Sequence, residues 1–428
     1  MPTTAHIGTE AFGRIVGPEH VRTATPEDAI DGVQPALVAA PGDIEELSAA
    51  LKLAGTQGMA VAPRGAGTCL GLGAPPERLD AILSTQRLNR VLEYNPGDLV
   101  VKAEAGVPLH ALQTVLVASG QMLALDPPDD RATLGGIIAT DASGPLRLRY
   151  GTVRDLLIGI TVVLVDGTVA RAGGKVVKNV AGYDLAKLFT GSLGTLGVIA
   201  EATFRLHPLP DATRTVAVEV ATTGDAGRFV AALATSTLVP SAAELRWDEP
   251  DGPGQVVVVF EGITPGVEAQ AAALLEIARA HGSAQIVGAV REQALWAELR
   301  TPAGLHEGEV CLKLAYPIAA LESVIGAAQN EARRRGIPVR CSAHAATGVA
   351  HVGFREEDSA ALPSIVESMR TMLAPHSGRI VVLRAPAEGK HGPSVWGPDA
   401  DALPLMRRIK AQFDPGRILN PGRFTGGI

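Results

Sequence analysis

Three short stretches in which glycine recurs at close intervals restrict this chain more than any other feature, because each obliges the backbone to approach something closely or to turn where a side chain would block it. The first is Pro63, Arg64, Gly65, Ala66, Gly67, Thr68, Cys69, Leu70 and Gly71, directly after the apolar run 59–62. Glycines spaced in this way let successive N–H groups curl into one concavity, which suits a pyrophosphate. By itself the segment reads first as a surface turn. It is not a Rossmann fingerprint, since the spacing is GxGxxxG and no acid is placed for a ribose. A Walker A loop is absent too, because Gly173-Gly174-Lys175 is followed by Val176 rather than Ser or Thr.

The second stretch follows Asp126-Pro127-Pro128 and runs Ala132, Thr133, Leu134, Gly135, Gly136, through Ala139, Thr140, Ala142 and Ser143 to Gly144, then Arg149-Tyr150-Gly151. Its glycine pair can lie against a flat ligand or open a helix toward phosphate, and a glycine packing corner explains it as well. The third carries Lys178, Asn179, Gly182, Tyr183, Asp184 and Leu185, then Gly191-Ser192-Leu193-Gly194-Thr195-Leu196-Gly197-Val198-Ile199. Polar groups at Lys178, Asn179 and Tyr183 beside a glycine loop can hydrogen-bond a heteroaromatic ring.

At 428 residues the chain is long enough for two packed domains. Only 4% of residues are aromatic, so the core is expected to rest on Ala, Val, Leu and Ile. A net charge of -7 with no basic block argues against nucleic-acid binding. Cys69, Cys311 and Cys341 are far apart, which excludes a disulfide framework, a zinc ribbon or an iron–sulfur ligand set built from this chain alone. The first ten residues show no secretory pattern and the longest apolar run, 156–165, is too short to span a bilayer. A cytoplasmic protein is expected, reaching a membrane only through partners.

Along the chain, a strand at 36–40, a helix at 44–54 capped by Asp43 with Glu46 completing a capping box, and a strand at 59–62 open the globular part. Further strands are expected at 99–104 and 158–165, the latter closing on the Asp166-Gly167 turn, with a helix at 108–119. From Thr213 the texture changes to β-rich runs at 216–220 and 256–260 and helices at 267–280 and 321–335, a second α+β domain. A Pro/Gly-rich stretch, 384–404, precedes the last helix and the tail Phe413 to Gly422. The expected division is an N-terminal segment 1–34, a cofactor domain 35–212, a cap 213–404 and a returning tail 405–428.

Taken together, the order and wording of these segments resemble the FAD domain (PCMH type) of the vanillyl-alcohol-oxidase superfamily, whose members run PRGxGT, ATxGGxxAxxxxG with RYG, KNxxGYDLxxLxxGSxGTLGxI and a terminal FDPxxxLNPG. The resemblance covers about 35–210 and 405–425. It implies an α+β fold with a two-subdomain FAD domain, an α+β cap and a C-terminal segment returning to the FAD. It also implies that Pro63 to Thr68 cradle the pyrophosphate. Thr133, Gly135, Gly136, Thr140 and Gly144, with Gly151, would line the middle of the cofactor. Ile199 would lie by the adenine–ribose half and Asn420 near the isoalloxazine. Relatives with covalent flavin often carry histidine in the first loop; Thr68-Cys69 stands here, so FAD is expected to be non-covalent.

Within that superfamily, the GSLGTLG wording with Leu193, where the catalytic hydroxy-acid branch has Glu, resembles the E-type FAD-binding subunits of glycolate oxidase, as does Val382-Leu383-Arg384-Ala385-Pro386. That branch implies a complex in which a catalytic FAD subunit oxidises glycolate, a small 2-hydroxy acid, to glyoxylate and an iron–sulfur subunit passes the electrons on. A stand-alone FAD dehydrogenase for glycolate or D-lactate, and a non-catalytic assembly subunit that keeps FAD for its fold, are the other readings. The catalytic branch holds a metal with GHxGDGNxH and a later EHG. Here His344 and His351 keep the spacing, but Thr347 and Val349 replace the Asp and Asn, and Lys390-His391-Gly392 places an ammonium where a cation would need a carboxylate. No metal is therefore expected, and His344 and His351 read first as structural. Catalytic candidates beyond them are Lys178, Tyr183 and Arg384, the last able either to grip a carboxylate at two points or to form a surface ion pair. Trp396 stands ready to cover a ligand or simply to pack.

Overall fold

The computed structural model describes residues 4–174, 184–390 and 395–428. It divides into two compact units, the first made of Met1–Ala142, Thr152–Leu209 and Pro398–Ile428, the second of Ser143–Gly151 and Pro210–Gly397. The mixed α+β character expected from the sequence is present in both.

In the first unit, a four-stranded sheet runs in the order Val21–Thr23, Leu37–Ala39, Ala81–Ser84, Val61–Arg64, its last three strands parallel. The helix Ile44–Gln57 joins two of these strands. The Asp43 carboxylate accepts the Glu46 N–H at 2.7 Å to cap it, and Gly58 ends it in the left-handed region at φ 65°. Beside it lies a five-stranded antiparallel sheet, Val91–Asn95, Val100–Glu104, Val198–Arg205, Leu157–Val163, Val169–Gly173, in which the Asp166-Gly167 turn makes the expected hairpin.

Two boundaries differ from those read off the sequence. Residues 1–34 are not a separate segment. The Thr4–Val16 helix buries Phe12 and Val16 in the same core as Leu37, Leu47, Leu51 and Leu83, and Val21–Thr23 pairs with Leu37–Ala39. The stretch 143–151 also belongs to the second unit, where Arg149 donates to Ser241 Oγ (3.2 Å) and to the Glu261 carbonyl and Tyr150 Oη donates to Glu261 Oε2 at 3.2 Å, and the last return to the first unit comes at 398 rather than 405.

The second unit is built on an eight-stranded antiparallel sheet, in the order Ser283–Ile286, Ala212–Val220, Gly254–Gly262, Ala242–Trp247, Arg340–His344, Val349–Arg355, Glu309–Ala315, Arg379–Arg384. Residues paired across neighbouring strands share a face. On one face Leu245, Ala343, Ala350 and Leu314 form a continuous apolar row, and the helices Thr223–Thr235, Thr264–Ala278, Leu321–Arg335 and Leu362–Leu373 supply the other buried apolar side chains of this layer. On the other face the register aligns Glu244 with His344, Arg246 with Ser342, and His351 with both Ser342 and Lys313. The helix Ala289–Arg300 packs Leu295 and Leu299 against Val257 on that same polar face.

Candidate functional site

The three glycine stretches meet in the first unit. A Cβ on Gly65 would fall 2.0 Å from Thr133 Oγ1, one on Gly194 2.5 Å from Pro63 Cγ, and one on Gly135 2.8 Å from Ala105 Cβ. Each of these approaches is open to glycine alone. Gly191 and Leu193 donate their N–H groups to the Ile138 and Ala139 carbonyls at 2.9 and 2.8 Å, joining the third stretch to the Leu134–Thr140 helix. Thr133 caps that helix by accepting the Gly136 N–H, and Thr140 Oγ1 donates to the Gly136 carbonyl at 2.8 Å. Between Arg64, whose carbonyl accepts from Thr85 N–H at 2.9 Å, and Leu70, the loop is open to solvent, with Ala66, Thr68 and Cys69 exposed. Among the described residues the backbone N–H groups of 66–69 donate to no protein acceptor. Free amides on a glycine-opened concavity are what a pyrophosphate requires, so these residues fit a dinucleotide.

Arg64 itself behaves differently from the rest of its loop. Its guanidinium is turned to Asp28 at 2.8 Å, so it anchors the loop's base. The Arg22 guanidinium, with smaller help from the Thr25 N–H and Arg64, holds the Asp28 carboxyl well below the usual carboxylate range despite its burial. Ile199 is buried in the Val198–Arg205 strand opposite Val162. Gly144 and Gly151 fall in the stretch 143–151, which belongs to the second unit. Lys178 and Tyr183, with Asn179, lie outside the described residues, as do His391 and Gly392.

The tail returns as expected, and Asn420 is its fixed point. Its Nδ2 donates to the Leu193 carbonyl at 2.6 Å, and its N–H to the Val61 carbonyl at 3.0 Å. Leu193 is held at φ 52°, in a region that disfavours a branched side chain, by these bonds on either side of it. Sequence reasoning missed two buried cations on the tail. Lys410 Nζ donates to the carbonyls of Thr195 and Leu419 (2.7 and 2.9 Å) and to Asp414 Oδ2 (2.6 Å), while Asp414 accepts the N–H groups of Ile418 and Leu419. Burial lowers the Lys410 ammonium from its ordinary range, and Asp414 opposes that. Arg423 donates through Nη2 to the carbonyls of Leu70 and Leu72 and faces Asp31 at 3.9 Å. The Asp-Pro of the tail motif, with a lysine one helical turn earlier, was the available signal.

The second unit holds the candidate catalytic histidines on its polar face. His344 Nδ1 lies 2.8 Å from Glu244 Oε2, both side chains buried, and the His351 ring stands edge-on to His344 with centroids 5.7 Å apart. Burial pushes the Glu244 carboxyl up, against the pull of His344. Burial also draws the His351 imidazole well below its ordinary value, and the positive surroundings of His344, Lys313 and Arg147 add to this. Tyr316 is buried nearby and its hydroxyl is raised, first by burial and then by Glu244. Glu244 and Arg246 also line an open cavity of about 300 Å³ with Ser342, Arg340 and His306. Glu244 was not read as a site residue. An acidic side chain directly between apolar neighbours, Ala243 and Leu245, in the strand Ala242–Trp247 was the clue. Arg384 is half-buried and donates to the Leu305 carbonyl at 3.3 Å, and among the described residues it pairs with no surface carboxylate. Among the described residues no helix is long and apolar enough to cross a membrane.

Comparison with known proteins gives this geometry its family. Residues 35–173 match the FAD binding domain model, and residues 209–381 and 396–424 match the C-terminal domain of FAD linked oxidases. A D-lactate dehydrogenase from Archaeoglobus fulgidus is 31% identical over 421 residues, covering 91% of this chain and 91% of the relative. Glycolate oxidase subunit GlcD from Bacillus subtilis is 27% identical, covering 91% and 89%. In fold, p-cresol methylhydroxylase superposes with a TM-score of 0.76 over 97% of this chain and 96% of that one, at 16% identity. The glycine cradle, the tail that closes on it and these matches over both units lead to one conclusion: the chain belongs to the FAD-linked oxidases and is an FAD-dependent oxidoreductase.

Proposed function

We propose that this protein is the E-type FAD-binding subunit of a glycolate-oxidase-like complex that, together with a catalytic FAD subunit and an iron–sulfur subunit, oxidises glycolate, a small 2-hydroxy acid, to glyoxylate. When bound, FAD supplies an acceptor for hydride that can return its electrons to a further carrier. The protein's part is to hold that cofactor without a covalent bond: the amides of 66–69 face its pyrophosphate, and the stretch 191–197 is braced behind the cradle by Asn420 and Lys410.

The substrate class is supported by relatives whose names are D-lactate dehydrogenase, glycolate oxidase subunit GlcD and D-2-hydroxyglutarate dehydrogenase. The subunit role is carried by one observation. Of the two histidines that the catalytic branch gives to a metal, His344 is here paired to Glu244 in a buried contact, and the residues between them lack the Asp and Asn of that branch. A similarity spanning 91% of a D-lactate dehydrogenase favours the second reading, a stand-alone hydroxy-acid dehydrogenase. The purified chain, offered glycolate and D-lactate with a dye acceptor, decides between them: negligible turnover alone with recovery on adding the two partner subunits supports the complex, and brisk turnover alone overturns it. Denaturation in acid is expected to release all the yellow colour into the supernatant. Flavin left on the precipitated protein would disprove non-covalent binding.

A further inference from the structure

We propose that Arg423, set against Asp31, is a positioning residue for the FAD pyrophosphate, acting through the backbone of the first glycine loop without touching the cofactor. One nitrogen of its guanidinium takes the carbonyls of Leu70 and Leu72, and the group as a whole faces the Asp31 carboxylate at 3.9 Å, with both side chains buried. In a trans peptide the carbonyl and the following N–H point in opposite directions. Fixing two alternate carbonyls on the Arg423 side therefore turns the N–H groups of Gly71 and Gly73 to the other side of the loop.

The remaining anchors make the loop a pinned arch. Its leading limb is held where Thr85 donates to the Arg64 carbonyl and where Arg64 meets Asp28. Arg423 also accepts the Ala74 N–H on its own carbonyl, so the tail and the trailing limb are joined twice. Between the two limbs lie the amides of 66–69, which have no protein acceptor among the described residues. An arch held at both ends presents those amides without the ordering cost a slack loop would incur on binding. A planar, always-charged fork is suited to holding two carbonyls and one carboxylate at once, which an ammonium does less well.

The test uses the full chain, stripped of flavin and titrated with FAD and, separately, with ADP, which carries the pyrophosphate but no flavin ring. Arg423→Gln is expected to weaken both ligands by the same factor, roughly 10- to 100-fold, the scale of losing charge-assisted hydrogen bonds. Arg423→Lys should fold, keep the charge opposite Asp31 and recover part of that loss. Arg417→Ala, which removes a surface contact of the same tail to Glu77, should leave both affinities within twofold. Arg423→Lys and Arg423→Gln binding FAD as the parent does would overturn the proposal. So would a loss confined to FAD with ADP unchanged, or one matched by Arg417→Ala. A parent chain that takes up neither ligand would instead refute the FAD assignment on which this inference rests.

Discussion

The two units solve their chemical problems with different parts of the amino acid. In the first, the surface proposed to face the cofactor is main chain: amides made available by glycine, with side chains such as Asn420, Lys410 and Arg423 holding carbonyls in place. In the second, the polar face is all side chain, with Glu244, His344, His351 and Lys313 aligned by strand register. A backbone site tolerates little change, because a single added methyl fills it. A side-chain site can keep its fold while its residues change, and its chemistry then drifts. The contrast explains why the FAD loops match the wording of their family while the histidine segment keeps only its spacing.

The largest effect expected from this contrast is at Gly65. Even one carbon there would lie 2.0 Å from Thr133 Oγ1, so Gly65→Val should abolish FAD binding and give a colourless protein. Retention of a full flavin-to-protein absorbance ratio would show that the cradle is not where these contacts place it.

Next in size is Glu244. Removing one partner of a buried hydrogen-bonded pair typically costs about 1–3 kcal/mol, because the other is left unsatisfied. Glu244→Ala should therefore unfold at markedly lower denaturant concentration than the parent, while the fraction that remains folded binds FAD in the parent's ratio. Loss of FAD in proportion to the loss of stability would show that the two units are not chemically separate.

How much of this was legible beforehand follows the same division. Gly65, Gly135, Thr133 and Asn420 could be picked out because a turn or a close approach leaves few residue types possible, and residue type is what a sequence displays. The Asp43 cap was readable for a similar reason, since capping is local, but Glu46 accepts the Gly42 N–H at 2.7 Å and does not complete the expected capping box. The contact of the Arg64 guanidinium with Asp28 was not legible, because the two residues are 36 positions apart and meet only in the fold. Glu244 and His344 are separated by 100 positions and meet only through sheet register, which depends on how eight strands are ordered. Nothing local foretells the bond of Arg384 to the Leu305 carbonyl, which lies 79 positions away.

The smallest and most specific effect is the pH dependence of the second unit. His351 has a depressed native pKa, so it is neutral when folded and binds a proton more readily when unfolded. Its contribution to stability is therefore fully present above the ordinary value of 6.5 and is lost as pH falls below it. Glu244 acts with the opposite sign. Its raised carboxyl contributes stability that is present below the ordinary value of 4.5 and declines as pH rises through the elevated one. Substituting each alone separates them. His351→Gln should flatten the fall in melting temperature on the acid side of 6.5. Glu244→Gln should leave that acid limb in place and lessen the decline above it. Flavin release followed in the same samples should track neither substitution, since both groups belong to the second unit and the amides proposed to hold the pyrophosphate belong to the first. An acid limb that His351→Gln leaves as steep as the parent's would mean that the imidazole is charged in the folded protein, and its burial against Lys313 and His344 would then need a counter-charge other than Glu244.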